Sequence, residues 1–221
     1  ELTAEFEKTF IRDDRYKVFV TGFKNTILIT LVSLCVGLIA GILIAIARYG
    51  FRQMKRKAAV TWYAKLWYAI CWVADKILAL YVAVIRGVPL VVQLLIMAFV
   101  VMAGFPNKIV VCCIAMGLNS AAYVSEVVRG GINAVDVGQM EAGRSLGLST
   151  ATTIFFIILP QAFKSALPAL CNEGIAVLKE TSIVGYIAVV DLTRASDLVR
   201  SRTMAPMMPL FFIAIVYFAC V

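Results

Sequence analysis

Between Lys24 and Arg48 the chain carries no charged side chain. The run from Ile27 to Ala47 inside that interval is long enough to cross a bilayer, which takes roughly 20 apolar residues at 1.5 Å rise each. In hydrocarbon every backbone N–H and C=O must be satisfied within the segment, so such a run has to be a helix. The pattern recurs. A second charge-free interval lies between Arg86 and Lys108, and a third runs from Ile109 to Val128 with Glu126 inside it. A fourth, from about Leu167 to Val190, carries Glu173, Lys179 and Glu180, and a fifth begins near Pro206 and reaches Val221. The expected fold is all-α: a polytopic membrane protein of about five transmembrane helices, forming one transmembrane domain over residues 1–221.

Apolar residues make up 62% of the 221 positions and charged residues 15%, proportions that exclude an ordinary soluble domain. The formal charge of +8 does not point to nucleic acid, because the basic residues are scattered between apolar runs and cluster only at Arg48, Arg52, Lys55, Arg56 and Lys57. Such a cluster marks a cytoplasmic loop. Cys35, Cys71, Cys112, Cys113, Cys171 and Cys220 fall mostly in apolar runs without metal-ligand spacing, and read as small buried hydrophobes. The chain has no histidine and no phosphate-cradling Gly-x-x-x-x-Gly-Lys-Ser/Thr loop, so no metal, cofactor or nucleotide site is expected on it. Any nucleotide energy must come from another chain.

The stretch from Thr61 to Ile85 is apolar but carries Lys65, Asp75 and Lys76, with Trp62, Tyr63, Trp67, Tyr68 and Trp72 in its first half. Aromatic residues of this kind favour the headgroup level. It reads as an interfacial helix leading into the second span, the alternative being an independent crossing. Five spans with the Arg48 cluster inside put the N-terminus and the Pro106-Asn107 turn outside, and the loop of about residues 132–160 inside. The connection holding Arg194, Arg200 and Arg202 then falls outside, against the positive-inside tendency, with Asp191 and Asp197 offsetting it only partly. The sequence opens without an initiator Met, shows no signal peptide and stops within an apolar run, so trimmed ends are expected.

Ionisable and polar groups inside apolar runs are the candidates for function, because each is costly against lipid and so faces a cavity or another helix. Asn119, Tyr123 and Glu126 are spaced i, i+4 and i+7, which puts them on one helical stripe. They could line a solute pathway, or Glu126 could pair with Arg129 one turn on. In the fourth run Asn172 and Lys179 share a face and Glu173 and Glu180 share the next; either a passage or a buried network would account for them. Glu173 is the better candidate for solute contact, and Lys179 to Ser182 for a network. Gly87 and Pro89 predict a break after Arg86, and Gln93 one turn later could line a pathway or bond a neighbouring helix. Gly37 and Gly41 either admit a close helix neighbour or simply face lipid.

The loop between the third and fourth runs holds Glu141-Ala142-Gly143-Arg144-Ser145-Leu146-Gly147. Asp136 and Gln139 resemble a capping box, and Gly147 suits a left-handed stop, so a short helix should start near Val137. Its turn and its ionised Glu141 cannot lie in lipid, which leaves it wetted by the cytosol and open to a soluble partner.

Taken together, these residues resemble the permease subunits of ATP-binding-cassette importers, in the subfamily for polar amino acids. The family's cytoplasmic signature is Glu-Ala-Ala, three residues, Gly, nine residues, then Ile, one residue, Leu-Pro. Glu141, Ala142, Gly143, Gly147, Ile157, Leu159 and Pro160 follow it with every spacing kept and one departure, Gly143 for the second alanine. That change should keep the surface and weaken the helix by up to about 1 kcal/mol. Arg86 to Gln93, Ala122 to Ile132, Gly138-Gln139 and Leu178 to Ser182 are similar to further family segments, although Val88 replaces a threonine.

The resemblance implies a multi-pass protein of the bacterial plasma (inner) membrane. A second permease subunit, identical or homologous, would complete the pathway, and an extracytoplasmic solute-binding protein would deliver the amino acid. A cytoplasmic ATPase subunit would grip Gln139, Glu141, Ala142, Gly143 and Gly147. Asn119, Tyr123, Glu126, Gln93, Asn172 and Glu173 would line the pathway, with Arg86, Pro89, Lys179 and Glu180 in structural or gating roles. The chain itself would perform no covalent chemistry. A secondary transporter of small polar solutes is the rival; it would usually show internal repeats, and would leave the Glu141 segment unexplained.

Overall fold

The structure, a computed structural model, describes residues 2–53 and 61–221, so Lys55, Arg56 and Lys57 of the basic cluster lie outside the described residues. Those residues are helical throughout their regular structure. The main helices are α1 (Tyr16–Gln53), α2 (Trp62–Gly87), α3 (Leu90–Ile96), α4 (Lys108–Asn133), α5 (Gly138–Ser145), α6 (Leu159–Glu180), α7 (Leu192–Thr203) and α8 (Met207–Cys220). A wider π-type turn extends α3 through Met97–Val101, and another, Ile154–Ile158, leads into α6 from the short helix Thr150–Thr153. Pro160, which has no N–H to give, is the second residue of α6, one position past that second turn.

Among the described residues four helices are long and apolar enough to cross a membrane: Tyr16–Arg52, Trp62–Gly87, Lys108–Asn133 and Thr150–Ile187. Two differences from the sequence reading stand out. The stretch read as interfacial is one helix of 26 residues that meets the length of a crossing, with Trp62, Tyr63, Trp67 and Trp72 exposed along its first half. The interval from Arg86 to Lys108 is not one span-length helix. Pro89 holds Val88 extended (φ −105°, ψ 136°) and ends α2, and the apolar helix that follows stops at Val101.

The chain packs as two compact units. Unit 1 comprises Glu1–Cys35, Pro89–Gly117 and Gly174–Val221; unit 2 comprises Val36–Val88 and Leu118–Glu173. One core of unit 1 gathers Ile29, Leu94, Val111, Met116, Val177 and Val184. A second gathers Phe10, Phe19, Leu192, Ala195, Val199 and Ile213, with the Phe10, Phe19 and Phe212 rings at centroid distances of 4.9 to 5.4 Å. Unit 2 is built on Val124, Val128, Ile132, Ile154, Ile158 and Leu170. Here Gly37 and Gly41 let α1 close onto α4: a Cβ on either would lie 2.6 Å from Ser120 Oγ or Val124 Cβ. The close-neighbour reading of that glycine pair is the one the packing requires.

Leu28, Leu31, Val32, Val36, Ile39 and Leu43 are exposed along α1, an apolar face suited to hydrocarbon. All six cysteines are free. Cys71, Cys112 and Cys113 are buried as expected, but Cys35, Cys171 and Cys220 are exposed. These three lie on outward faces of apolar helices, where a small apolar side chain is as well suited as it is in a core.

Candidate functional site

Two constellations in unit 2 carry the polar chemistry. The first is a charge network joining α1, α2 and α4. Glu126 accepts from Arg129, Nε at 3.0 Å and Nη2 at 2.7 Å, and lies 3.5 Å from Arg48 Nη1 and 3.6 Å from Arg86 Nη1. Arg48 is buried and donates from Nε to Asp75 at 3.1 Å, while Arg52 reaches the other Asp75 oxygen at 3.4 Å. The Arg86 guanidinium stacks 5.4 Å from the Tyr123 ring centroid. Removing the carboxylate from such a group would leave cations uncompensated, so the network ties three helices together by mutual need.

The second is smaller. Buried Ser120 of α4 donates to the half-buried Glu173 of α6 at 2.8 Å, and a Tyr81 hydroxyl from α2 donates to the Leu118 carbonyl at 2.5 Å. Asn119 is buried beside Ser120, and Asn172 is exposed beside Glu173.

Of the residues singled out from sequence, Arg86, Tyr123 and Glu126 come together directly. Asn119, Asn172 and Glu173 belong to the same unit, whereas Gln93, Pro89, Lys179 and Glu180 belong to unit 1. Gln93 is half-buried and Lys179 exposed. Sequence reasoning missed the partners. Asp75 stood out only as an awkward charge in an apolar stretch, and Arg48 only as part of a basic cluster; a residue far along the chain supplies each one's meaning.

The loop helix α5 has the geometry its sequence promised at one end and a variant of it at the other. Asp136 Oδ1 accepts from the Gly138 N–H at 2.6 Å, but the Gln139 side chain does not turn back to complete a capping box; it accepts from Gln161 Nε2 at 3.3 Å. At the far end Gly147 is left-handed (φ +81°), the Leu148 N–H donates to Gly143 O at 3.1 Å and the Gly147 N–H to Arg144 O at 3.1 Å. That pair of bonds closes a Schellman stop. Glu141, Ala142, Arg144 and Ser145 are exposed, whereas Gly143 is buried with a would-be Cβ 2.5 Å from Thr153 Cγ2. The expectation that Gly143 is a surface substitution is therefore corrected: glycine is there because Thr153 occupies the space an alanine methyl would take.

Comparison with known proteins agrees with this geometry. Residues 63–221 match the family described as "Binding-protein-dependent transport system inner membrane component". The arginine transport system permease protein ArtQ of Bacillus subtilis (strain 168) is 36% identical over 204 residues, covering 90% of this chain and 84% of ArtQ. The probable amino-acid ABC transporter permease protein YckA of the same organism is 33% identical, covering 93% and 84%. Among solved structures, one described as an amino acid ABC transporter with histidines superposes with a TM-score of 0.77 at 35% identity, covering 93% of this chain and 88% of that one. The chain thus belongs to the family of binding-protein-dependent transport system inner membrane components, as a multi-pass permease.

Proposed function

We infer that the chain is the permease subunit of an ATP-binding-cassette importer of polar amino acids, with ATP hydrolysis carried by a separate subunit. The observation that carries this reading is α5, a capped helix that presents Glu141 and Ala142 outward while Gly143 seats it on Thr153. A helix fixed on one side and open on the other is a rigid handle for an ATPase, and its movement would be passed to the long helices as a body. Gln139, held by Gln161, and Gly147 complete the handle.

Residues 1–221 act here as one permease domain. A second copy or a relative completes the pathway, and an extracytoplasmic solute-binding protein supplies the amino acid, as the family's description supports. Asn172, exposed, and Glu173, half-buried, are the best-placed groups in unit 2 to meet an amino acid, with Tyr123 at the edge of the charge network and Asn119 buried; in unit 1, taken by itself, Gln93 is the pathway candidate. Glu126, engaged by three arginines, serves as an anchor in this reading rather than a solute contact. Arg86, Pro89, Lys179 and Glu180 are assigned to bends and gates.

The test is uptake in proteoliposomes holding the assembled importer. Glu141→Lys or Gly147→Asp should abolish transport and its coupled ATP hydrolysis while leaving membrane insertion intact. Retained uptake with normal ATPase stimulation would remove the assignment of α5.

A further inference from the structure

The charge network of unit 2 is not balanced. Among the described residues the guanidinium groups of Arg48, Arg52, Arg86 and Arg129 share only two carboxylates, Asp75 and Glu126. Three of these arginines, Arg48, Arg52 and Arg129, converge on a cavity of about 220 Å³ whose wall also carries Tyr49, Ser125 and Asn133. The Arg48 side chain is only 9% exposed, so its charge is held largely away from water. Arg48 is matched by Asp75 and Glu126, but the same two carboxylates also serve Arg52, Arg86 and Arg129, so the group keeps an excess of cation that an added anion would offset.

The wall chemistry selects the anion. Guanidinium forks match the paired oxygens of a phosphate, and the Tyr49 phenol and Asn133 amide add polar groups of the kind a phosphate ester accepts from. The surroundings select its source. Upstream on the same helix, α1 exposes Leu43 and Ile39, five and nine residues before Arg48, at 62% and 64%. The arginines lie about half a turn around α1 from that face, on the side packed against α2 and α4, so a headgroup would reach them past the end of the apolar stretch rather than along it. The sequence puts this end of α1 at the cytoplasmic surface, where anionic lipids reside and where basic pockets between helices bind their headgroups.

We propose that this pocket binds the phosphate of an anionic phospholipid headgroup from the cytoplasmic leaflet. Arg52 and Arg129, whose side chains are 51% and 42% exposed, are the arms of the clamp, and Arg48 is its floor. The proposal uses the membrane setting of the chain but not the identity of its solute, so failure here leaves the transport assignment untouched.

The assembled transporter is reconstituted in nanodiscs of phosphatidylcholine, alone or mixed with phosphatidylglycerol, and in phosphatidylcholine with inorganic phosphate added. Phosphatidylglycerol should raise the melting temperature and inorganic phosphate should not. Native mass spectrometry should find phosphatidylglycerol retained about five-fold less by Arg52→Gln than by the wild type, and equally by Lys164→Gln, an exposed cation of the same unit outside the pocket. Equal melting in the two lipid mixtures would overturn the proposal without recourse to any variant. Unchanged retention by Arg52→Gln would remove the pocket as the site, and stabilisation by inorganic phosphate alone would remove the lipid as the source.

Discussion

Two short helices in this protein follow long apolar ones and are put to opposite uses. In unit 2, α5 turns Glu141 and Ala142 to solvent and rests on a single buried glycine. In unit 1, α7 is sealed: Leu192, Ala195, Ser196, Val199 and Thr203 are all buried, and Asp191 caps its first turn from a position with no exposure. Asp191 accepts from the Thr193 and Arg194 N–H groups at 2.9 and 3.0 Å, while the Leu192 N–H is taken by Thr26 of α1 at 3.1 Å. Asn25 of α1 also donates to Val190 O at 2.8 Å. Short length and polar composition are common to both helices. What differs is whether the small residues face a neighbour already present or one still to come.

The most severe way to break this contrast is to put the same charge on each. Ala195→Arg forces a guanidinium into a site with no exposure and should cost more than about 4 kcal/mol, collapsing the yield of folded protein in detergent. Ala142→Arg falls on an open face and should change thermal stability by no more than about 0.5 kcal/mol. Its effect should appear instead as loss of the ATPase subunit on co-purification. Equal yields for the two variants would mean that burial does not separate the helices as described.

A smaller effect concerns the cap itself. Burial pushes the Asp191 carboxyl above the usual carboxylate range, against the backbone hydrogen bonds from Arg194 and Thr193 that favour its charged form. A carboxyl with a raised folded value contributes stability that is complete below its unfolded value and is lost as pH rises through the folded one. Wild-type α7 should therefore be better protected from proteolysis in mildly acidic buffer than at neutral pH, and Asp191→Asn should flatten that dependence. Asp191→Ala, which deletes the acceptor, should cost about 1–2 kcal/mol at any pH. A pH profile identical in wild type and Asp191→Asn would show that the carboxylate is hydrated after all.

These residues also mark how far sequence alone could go. Helical class followed from the apolar runs because the bilayer permits little else, and α5 followed from Gly147 and its spacing, which are local properties. Asp191 was visible only as a partial offset to nearby arginines. Its role as a cap depends on an extended backbone and on Thr26, some 165 positions away, as the Asn25 bond to Val190 illustrates at a separation of 165. Glu126 was open between a solute and Arg129 because helical spacing reveals only the i+3 neighbour; Arg48 and Arg86 approach it from other helices. α2 was open between an interfacial helix and a crossing because its aromatic residues resemble an interfacial belt while its length and hydropathy meet those of a span.

The gentlest test addresses the one residue on which α5 sits. Gly143→Ala places a methyl 2.5 Å from Thr153 Cγ2 and 2.8 Å from its Oγ1, and neither atom can withdraw freely, because the Thr153 hydroxyl donates to Ser149 O at 3.0 Å. Against this stands the gain of up to about 1 kcal/mol that alanine brings to a helix interior. If the steric contact dominates, Gly143→Ala loosens α5 and lowers coupled ATPase activity, and Thr153→Ser, which deletes the nearer methyl, restores it. The double variant should then be better than the sum of the singles by about 1 kcal/mol in melting experiments. An additive result would mean that α5 can shift to accept the methyl, and the handle would be less firmly fixed than its exposed face requires.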